Sequence, residues 1–181
     1  MKKTLAKSLI VATLLLGIGI TSAKAQSAMD KPPRYKDMVT ENKDAEADIK
    51  LVTDFINALV ANDLDKAKSV LAGNYMGYGP GPADSANAEQ VIASWKENNS
   101  RNDNRKVGFL SETFNVTSGE QAGHWVSTWG NYSFTQNGKE VKFPYQYTAH
   151  VKDGKITADF VYYDNLYILK TLGYTITPPA N

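Results

Sequence analysis

Between Val141 and Lys152 the chain alternates. Val141, Phe143, Tyr145, Tyr147, Ala149 and Val151 take every second position, with Lys142, Pro144, Gln146, Thr148, His150 and Lys152 between them. A period of two marks a strand with one buried face. Asp153-Gly154 supplies a turn, because glycine accepts the positive φ that a reversal needs. The apolar-rich run from Ile156 to Tyr163 returns from it. Two more strand-like runs precede this hairpin, Val107 to Val116 and Gly123 to Phe134, with turn signals at Thr117-Ser118-Gly119-Glu120 and Gln136-Asn137-Gly138-Lys139.

Upstream the period changes. Ile49, Val52, Phe55, Ile56, Leu59 and Val60 recur every three or four residues, one face of an amphipathic helix. Asn62-Asp63 ends it, and Asp63 can cap a second helix, Leu64 to Leu71. Tyr75 to Pro82 is aromatic and full of breakers, and reads as a short strand entering a loop. Asp84 or Asn87 caps a third helix, Ala88 to Asn98, with Val91, Ile92 and Trp95 on one face. Asp164 or Asn165 caps a last one, Leu166 to Leu172, which Gly173 stops. Helices followed by four consecutive antiparallel strands predict an α+β domain with the helices on one face of a twisted, curling sheet. The opening left between the two layers would be a pocket.

The N-terminus does not belong to that pattern. Lys2 and Lys3, the apolar core Leu9 to Ile20 and Ala23-Lys24-Ala25 have the form of a secretory signal peptide over residues 1–25. Its removal leaves 156 of the 181 residues, enough for one core. Residues 26–44, polar and with Pro32-Pro33, read as a flexible leader, 45–175 as the domain and 176–181 as a tail. Charge changes with cleavage. Losing Lys2, Lys3, Lys7 and Lys24 takes the 20 basic residues to 16 against 19 acidic ones, a net charge of −3. No basic stripe remains, so nucleic acid is not an expected partner. The expected address is the periplasm or the exterior, with no membrane attachment after cleavage. There is no cysteine, so the exported domain must be held by its core.

"FINALVANDLDKAKSVLAGNY", a helical Trp95, "KDGKI" and a terminal "YYDNLYILKTLG" together resemble the nuclear-transport-factor-2-like superfamily, and within it the SnoaL-like group, over about Ala45 to Tyr174. The resemblance implies a cone: a curved antiparallel sheet wrapped on three N-terminal helices, with a short C-terminal helix, an internal pocket and a homodimer across the sheet. Fold alone does not decide function among such proteins. Ketosteroid isomerases of this superfamily carry an oxyanion-hole Tyr, a general-base Asp and a second Asp at positions that match Phe55, Gly79 and Tyr147. Limonene epoxide hydrolases carry an Asp where Val161 stands, and an Arg and Asp pair where Tyr145 and Tyr147 stand. Neither chemistry carries over. SnoaL-type cyclases use a carboxylate or His near the pocket, which leaves Asp159, Asp164 and His150 as candidates in the hairpin.

Which acid faces inward depends on the register of the hairpin. A two-residue loop pairs Lys152 with Lys155 and puts Tyr147 on the face of Phe160, Tyr162 and Asp164. A three-residue loop with a bulge at Gly154 puts Tyr147 with Asp159, Val161 and Tyr163. A one-residue slip swaps the faces. Apolar matching favours the first register and the resemblance favours the second. An inward Asp159 would be desolvated, its pKa raised toward a value suited to proton transfer. Asp164 is a candidate at the pocket rim or a helix cap. Tyr78, Trp95, Tyr132, Tyr147, Val161 and Tyr163 are the expected ligand-binding residues, since rings with a few hydroxyls suit a flat apolar or aromatic molecule. Trp125 and Trp129 share a strand face. If that face is convex, they belong to a dimer contact. Neither His124 nor His150 has ligands at metal spacing, and no nucleophile elbow or phosphate loop is present. No metal or cofactor is expected. Three readings result: a ligand-binding domain without chemistry, a cofactor-free isomerase, cyclase or dehydratase, and a dimeric interaction domain with a filled pocket.

Overall fold

The computed structural model describes residues 34–177, so the signal-peptide reading and most of the leader lie outside the described residues. The chain runs α1 (Tyr35–Met38), β1 (Val39–Thr40), α2 (Ala45–Ala61), α3 (Leu64–Ser69), β2 (Leu71–Tyr78), β3 (Ser85–Asn87) and α4 (Ala88–Arg101). Then follow β4 (Asp103–Val116), β5 (Gly123–Gln136), β6 (Lys139–Lys152), β7 (Lys155–Tyr163) and α5 (Asn165–Leu172). The strands form one curved, unclosed sheet in the order β1-β4-β5-β6-β7-β2-β3. The α+β cone is therefore present, with the helices against one face.

Local chemistry accounts for the element ends. Asn62 adopts a left-handed conformation (φ 64°) and closes α2. The Asp63 carboxylate accepts from the Lys66 N–H at the start of α3. Asn87 and Gln90 form a capping box at the start of α4. Asn137-Gly138 and Asp153-Gly154 both take positive φ at both positions, the geometry of a two-residue hairpin turn whose twist matches the strands. At Gly130 a Cβ would fall 1.8 Å from the Gly108 carbonyl oxygen, so β4 and β5 can approach there only around glycine.

The core lies between α2 and the concave side of the sheet. Val52 and Phe55 of α2 meet Val126, Tyr147, Ala149, Val151 and Ile156. Full burial of side chains of this size stabilises by about 1.5–3 kcal/mol each. A second apolar group, Phe134, Val141 and Phe143, sits toward α5 and is covered by Ile168 and Leu172.

The β6–β7 hairpin resolves the two registers in an unexpected way. Its loop has two residues, with Lys152 opposite Lys155. Val151 then pairs with Ile156, but His150 pairs with Ala158, which leaves Thr157 unopposed as a bulge. Beyond the bulge Tyr147 faces Val161 and Ala149 faces Asp159. The loop belongs to one expected register and the inward set to the other. Asp159 and Val161 point into the cone, while Phe160 and Tyr162 point out.

Two further readings change. Residues 35–40 are structured: they form α1 and an edge strand pairing Val39 with Val116 and Thr40 with Asn115. Asn42 anchors them. It is 2% exposed, donates to the Asp48 carboxylate (2.8 Å) and Thr113 hydroxyl (2.9 Å), and accepts from the Asp44 N–H. Polarity in this stretch serves hydrogen bonds at the start of α2, not a solvated leader. The second helix stops at Ser69, because Leu71 begins β2, which runs parallel to β7 and carries the short edge strand β3 on its other side.

A candidate active site in the cone

The cone encloses a cavity of about 720 Å³. Asp159 lines it and is 5% exposed. One of its carboxylate oxygens, Oδ2, accepts from the Tyr75 hydroxyl at 2.5 Å and from the Tyr147 hydroxyl at 2.8 Å. Three strands supply the three groups: β2 brings Tyr75, β6 Tyr147 and β7 Asp159. Tyr75 and Gly77 share one face of β2 by strand alternation, and Gly77 lies opposite Asp159.

Burial raises the Asp159 pKa to about 6, and the two phenol hydrogen bonds oppose the rise without cancelling it. Burial and the adjacent carboxylate push both phenols well above their ordinary range, so they remain donors. Burial also takes Tyr132 and Tyr145 up to about 12. A carboxylate poised near neutrality between permanent donors can take up or release a proton in the physiological range. Gly77 keeps the approach open. A Cβ there would lie 2.5 Å from the Tyr75 hydroxyl and 3.0 Å from Asp159 Oδ1.

Phe55, Trp95, Tyr132, Tyr145, Tyr147, Val161 and Tyr163 form the walls. Trp95 meets Tyr132 edge-on with ring centres 6.0 Å apart. Ile168, Leu169 and Leu172 of α5 close one side, where the Lys139 ammonium donates to the Leu172 carbonyl at 2.8 Å. The loop from Gly79 to Asp84 borders another side and is folded on itself, with Asp84 accepting from the Gly81 N–H.

The structure thus brings Asp159, Trp95, Tyr132, Tyr147, Val161 and Tyr163 to one cavity. Tyr78 also borders it, but its ring stacks on Phe160 at 5.0 Å, and Phe160 lies on the opposite face of β7 from Asp159. Asp164 is placed elsewhere. It is exposed, does not line the cavity, and its carboxylate accepts from the Tyr167 N–H as the cap of α5. Tyr75 was not singled out by the sequence as a partner of Asp159, since 84 residues and a parallel strand pairing separate them. Neither histidine reaches the cavity. The His124 ring meets Asp48 at 2.9 Å, and the His150 ring lies between the Thr157 hydroxyl and the Ala122 carbonyl.

On the outer face Leu110, Trp129 and Tyr162 lie in one row across β4, β5 and β7, and are 62%, 40% and 52% exposed. Trp125 shares that convex face but is buried against His150 and Phe160. Among the described residues no cluster of three or more His, Cys, Asp or Glu could hold a metal, and no helix is long and apolar enough to cross a membrane.

No family model matches the sequence, and no curated protein matches it either. Solved structures do match in shape. One is a protein of Catenulispora acidiphila with a ketosteroid isomerase-like fold, in complex with trimethylamine (16% identity, 71% of this chain and 98% of that one, TM-score 0.57). Another is a candidate polyketide cyclase of Streptomyces antibioticus (17% identity, 69% and 97%, TM-score 0.55). A third is an LEH-like epoxide hydrolase of M. tuberculosis (21% identity, 71% and 91%, TM-score 0.51). Likeness at such identities concerns the fold. This chain has the nuclear-transport-factor-2-like, or ketosteroid isomerase-like, fold.

Proposed function

We propose that the chain is an exported, cofactor-free acid–base catalyst. It would act on a small apolar or aromatic molecule held in the cone, in an isomerisation, cyclisation or dehydration. Asp159 is the group that takes and returns the proton. Tyr75 and Tyr147 hold its carboxylate and tune it. One observation carries the reading: a carboxyl group 5% exposed, with pKa raised to about 6, accepts two phenol hydrogen bonds inside a ring-lined cavity. Sites built for proton transfer shift a carboxylate in this direction by desolvation. Asp164, as a helix cap, has no part in the chemistry.

Binding without chemistry is the second reading. Both phenols nearest Asp159 are already spent on it, and the lining offers a developing anion neutral donors such as the unpartnered Tyr145 hydroxyl but no unpaired cation. The exposed row Leu110, Trp129 and Tyr162 supports homodimerisation across the outer face. Sedimentation of the wild type and of Trp129→Glu tests that part. For the site, small molecules retained by the purified protein are identified by mass spectrometry and returned to it in D₂O. Catalysis predicts deuterium on a carbon of the retained molecule with wild type and none with Asp159→Asn. Retention without exchange in both proteins would establish the binding reading instead.

A further inference from the structure

Proton transfer at Asp159 leaves one charge unaccounted for. From that imbalance we propose that the cavity takes a nitrogen cation, an apolar or aromatic molecule with one positive nitrogen held against Asp159 and the rings beside it. The proposal rests on Asp159 being the working group of the cavity.

The charges around the space lead to it. Among the described residues that line the cavity, the ionisable groups other than phenols are Asp84, Arg101 and Asp159. Arg101 is spoken for: it pairs with Glu97 at 3.3 Å, donates to the Asn98 side chain, and is 53% exposed. Asp84 lies in the border loop and is exposed. Arg105 stands behind Tyr132, outside the lining, and gives its N–H groups to the carbonyls of Val60, Asn99 and Asn102. The interior therefore presents one carboxylate and no cation. A buried carboxylate whose only partners are neutral donors is costly to ionise, and a bound cation removes that cost. The walls fit the same ligand. Phe55, Trp95, Tyr132, Tyr145 and Tyr147 border the space around Asp159, and ring faces attract organic cations.

Chemistry points the same way. A base that deprotonates a neutral carbon acid creates an anion, and the one cation at this lining, Arg101, is already paired with Glu97. Tyr75 and Tyr147 both donate to Oδ2, and the buried Tyr145 hydroxyl, which has no partner, offers a neutral donor and no charge. A cationic substrate needs no such help. The proton passes from carbon to Oδ1, the C–H electron pair becomes a C=C bond toward the adjacent iminium carbon, and the C=N pair returns to nitrogen. Carboxylate and cation are both neutral afterwards, and no oxidant or metal is consumed.

The test compares three probes of one shape on the full chain by calorimetry at pH 8: benzyltrimethylammonium, its uncharged isostere neopentylbenzene, and 3-phenylpropionate. The cation should bind at least about tenfold more tightly than the neutral isostere, and the anion should not bind. Asp159→Asn should erase that preference. A second arm needs no variant. In wild type the preference should collapse between pH 8 and pH 4 as Asp159 takes a proton. Of the groups facing it, Tyr75 on β2 and Tyr147 on β6 stay neutral throughout, and no histidine lines the cavity. Equal binding of cation and isostere at pH 8, or tighter binding of the anion, overturns the proposal. If that happens while Asp159→Asn still abolishes deuterium exchange, the cation inference fails and the acid–base reading stands. If exchange survives the substitution, the reading beneath it has failed as well.

Discussion

Replacing Asp159 with Asn should make the protein more stable at neutral pH and leave it unchanged in acid. The folded carboxyl has a pKa near 6 against an ordinary value of 3.8, a rise caused first by burial. An acid whose pKa is raised on folding opposes folding when ionised. Below pH 3.8 the group is protonated in both states and costs nothing. Above pH 6 it is ionised in both, and the folded state carries the whole penalty. Two pH units correspond to about 3 kcal/mol. The amide oxygen of Asn can still accept from Tyr75 and Tyr147, so the packing is kept. Denaturant unfolding of both proteins at unit steps from pH 4 to pH 8 measures the difference. The gap between variant and wild type should widen by about 2.4 kcal/mol between pH 4 and pH 7, and then stay nearly level. Curves that run parallel across that range would refute the placement of a desolvated, ionisable carboxyl in the cone.

Other outcomes follow from the same geometry. Gly77→Ala should cost ligand retention and about 1–3 kcal/mol of stability, because the added methyl lands on the buried Tyr75 hydroxyl and beside Asp159 Oδ1; mass spectrometry of the purified variant shows whether the cavity still fills. Asp164→Ala should lower stability by about 1 kcal/mol through loss of the α5 cap, seen by chemical unfolding, and leave the deuterium exchange in place. Asn42→Ala should cost about 1–2 kcal/mol, since it removes one partner each from the buried Asp48 carboxylate and the Thr113 hydroxyl, which keep His124 and the Trp125 carbonyl, and should speed amide exchange in β1.

The long strands were legible because each keeps one face in the core. The alternation through Val141 to Val151 needs no tertiary information, and neither do the caps at Asn87 and Asp164 nor the Asn137-Gly138 and Asp153-Gly154 turns. The site was less legible, for reasons that can be named. Alternation alone would have turned Phe160 inward, since Ile156, Ala158, Phe160 and Tyr162 are the more apolar set. The unopposed Thr157 reverses that parity, and a bulge leaves no mark in a pattern of period two. The resemblance to SnoaL-like proteins carried the correct facing for Asp159. Tyr75 lay hidden in a breaker-rich stretch, because its role depends on parallel pairing of β2 with β7, a contact remote in sequence. Residues 35–44 read as leader because a polar residue that satisfies buried groups, as Asn42 does, looks in sequence like one that meets water.

The ionisation of Asp159 is the property on which the whole account turns, and it can be observed directly. Protein labelled with ¹³C at aspartate carboxyls, with the Asp159 signal assigned through Asp159→Asn, is titrated by NMR with the cavity empty and then filled by an apolar probe. The midpoint should lie near pH 6 in the empty protein, and that signal should shift ahead of the other aspartates when the probe enters. A midpoint near pH 4 that ignores the probe would contradict it.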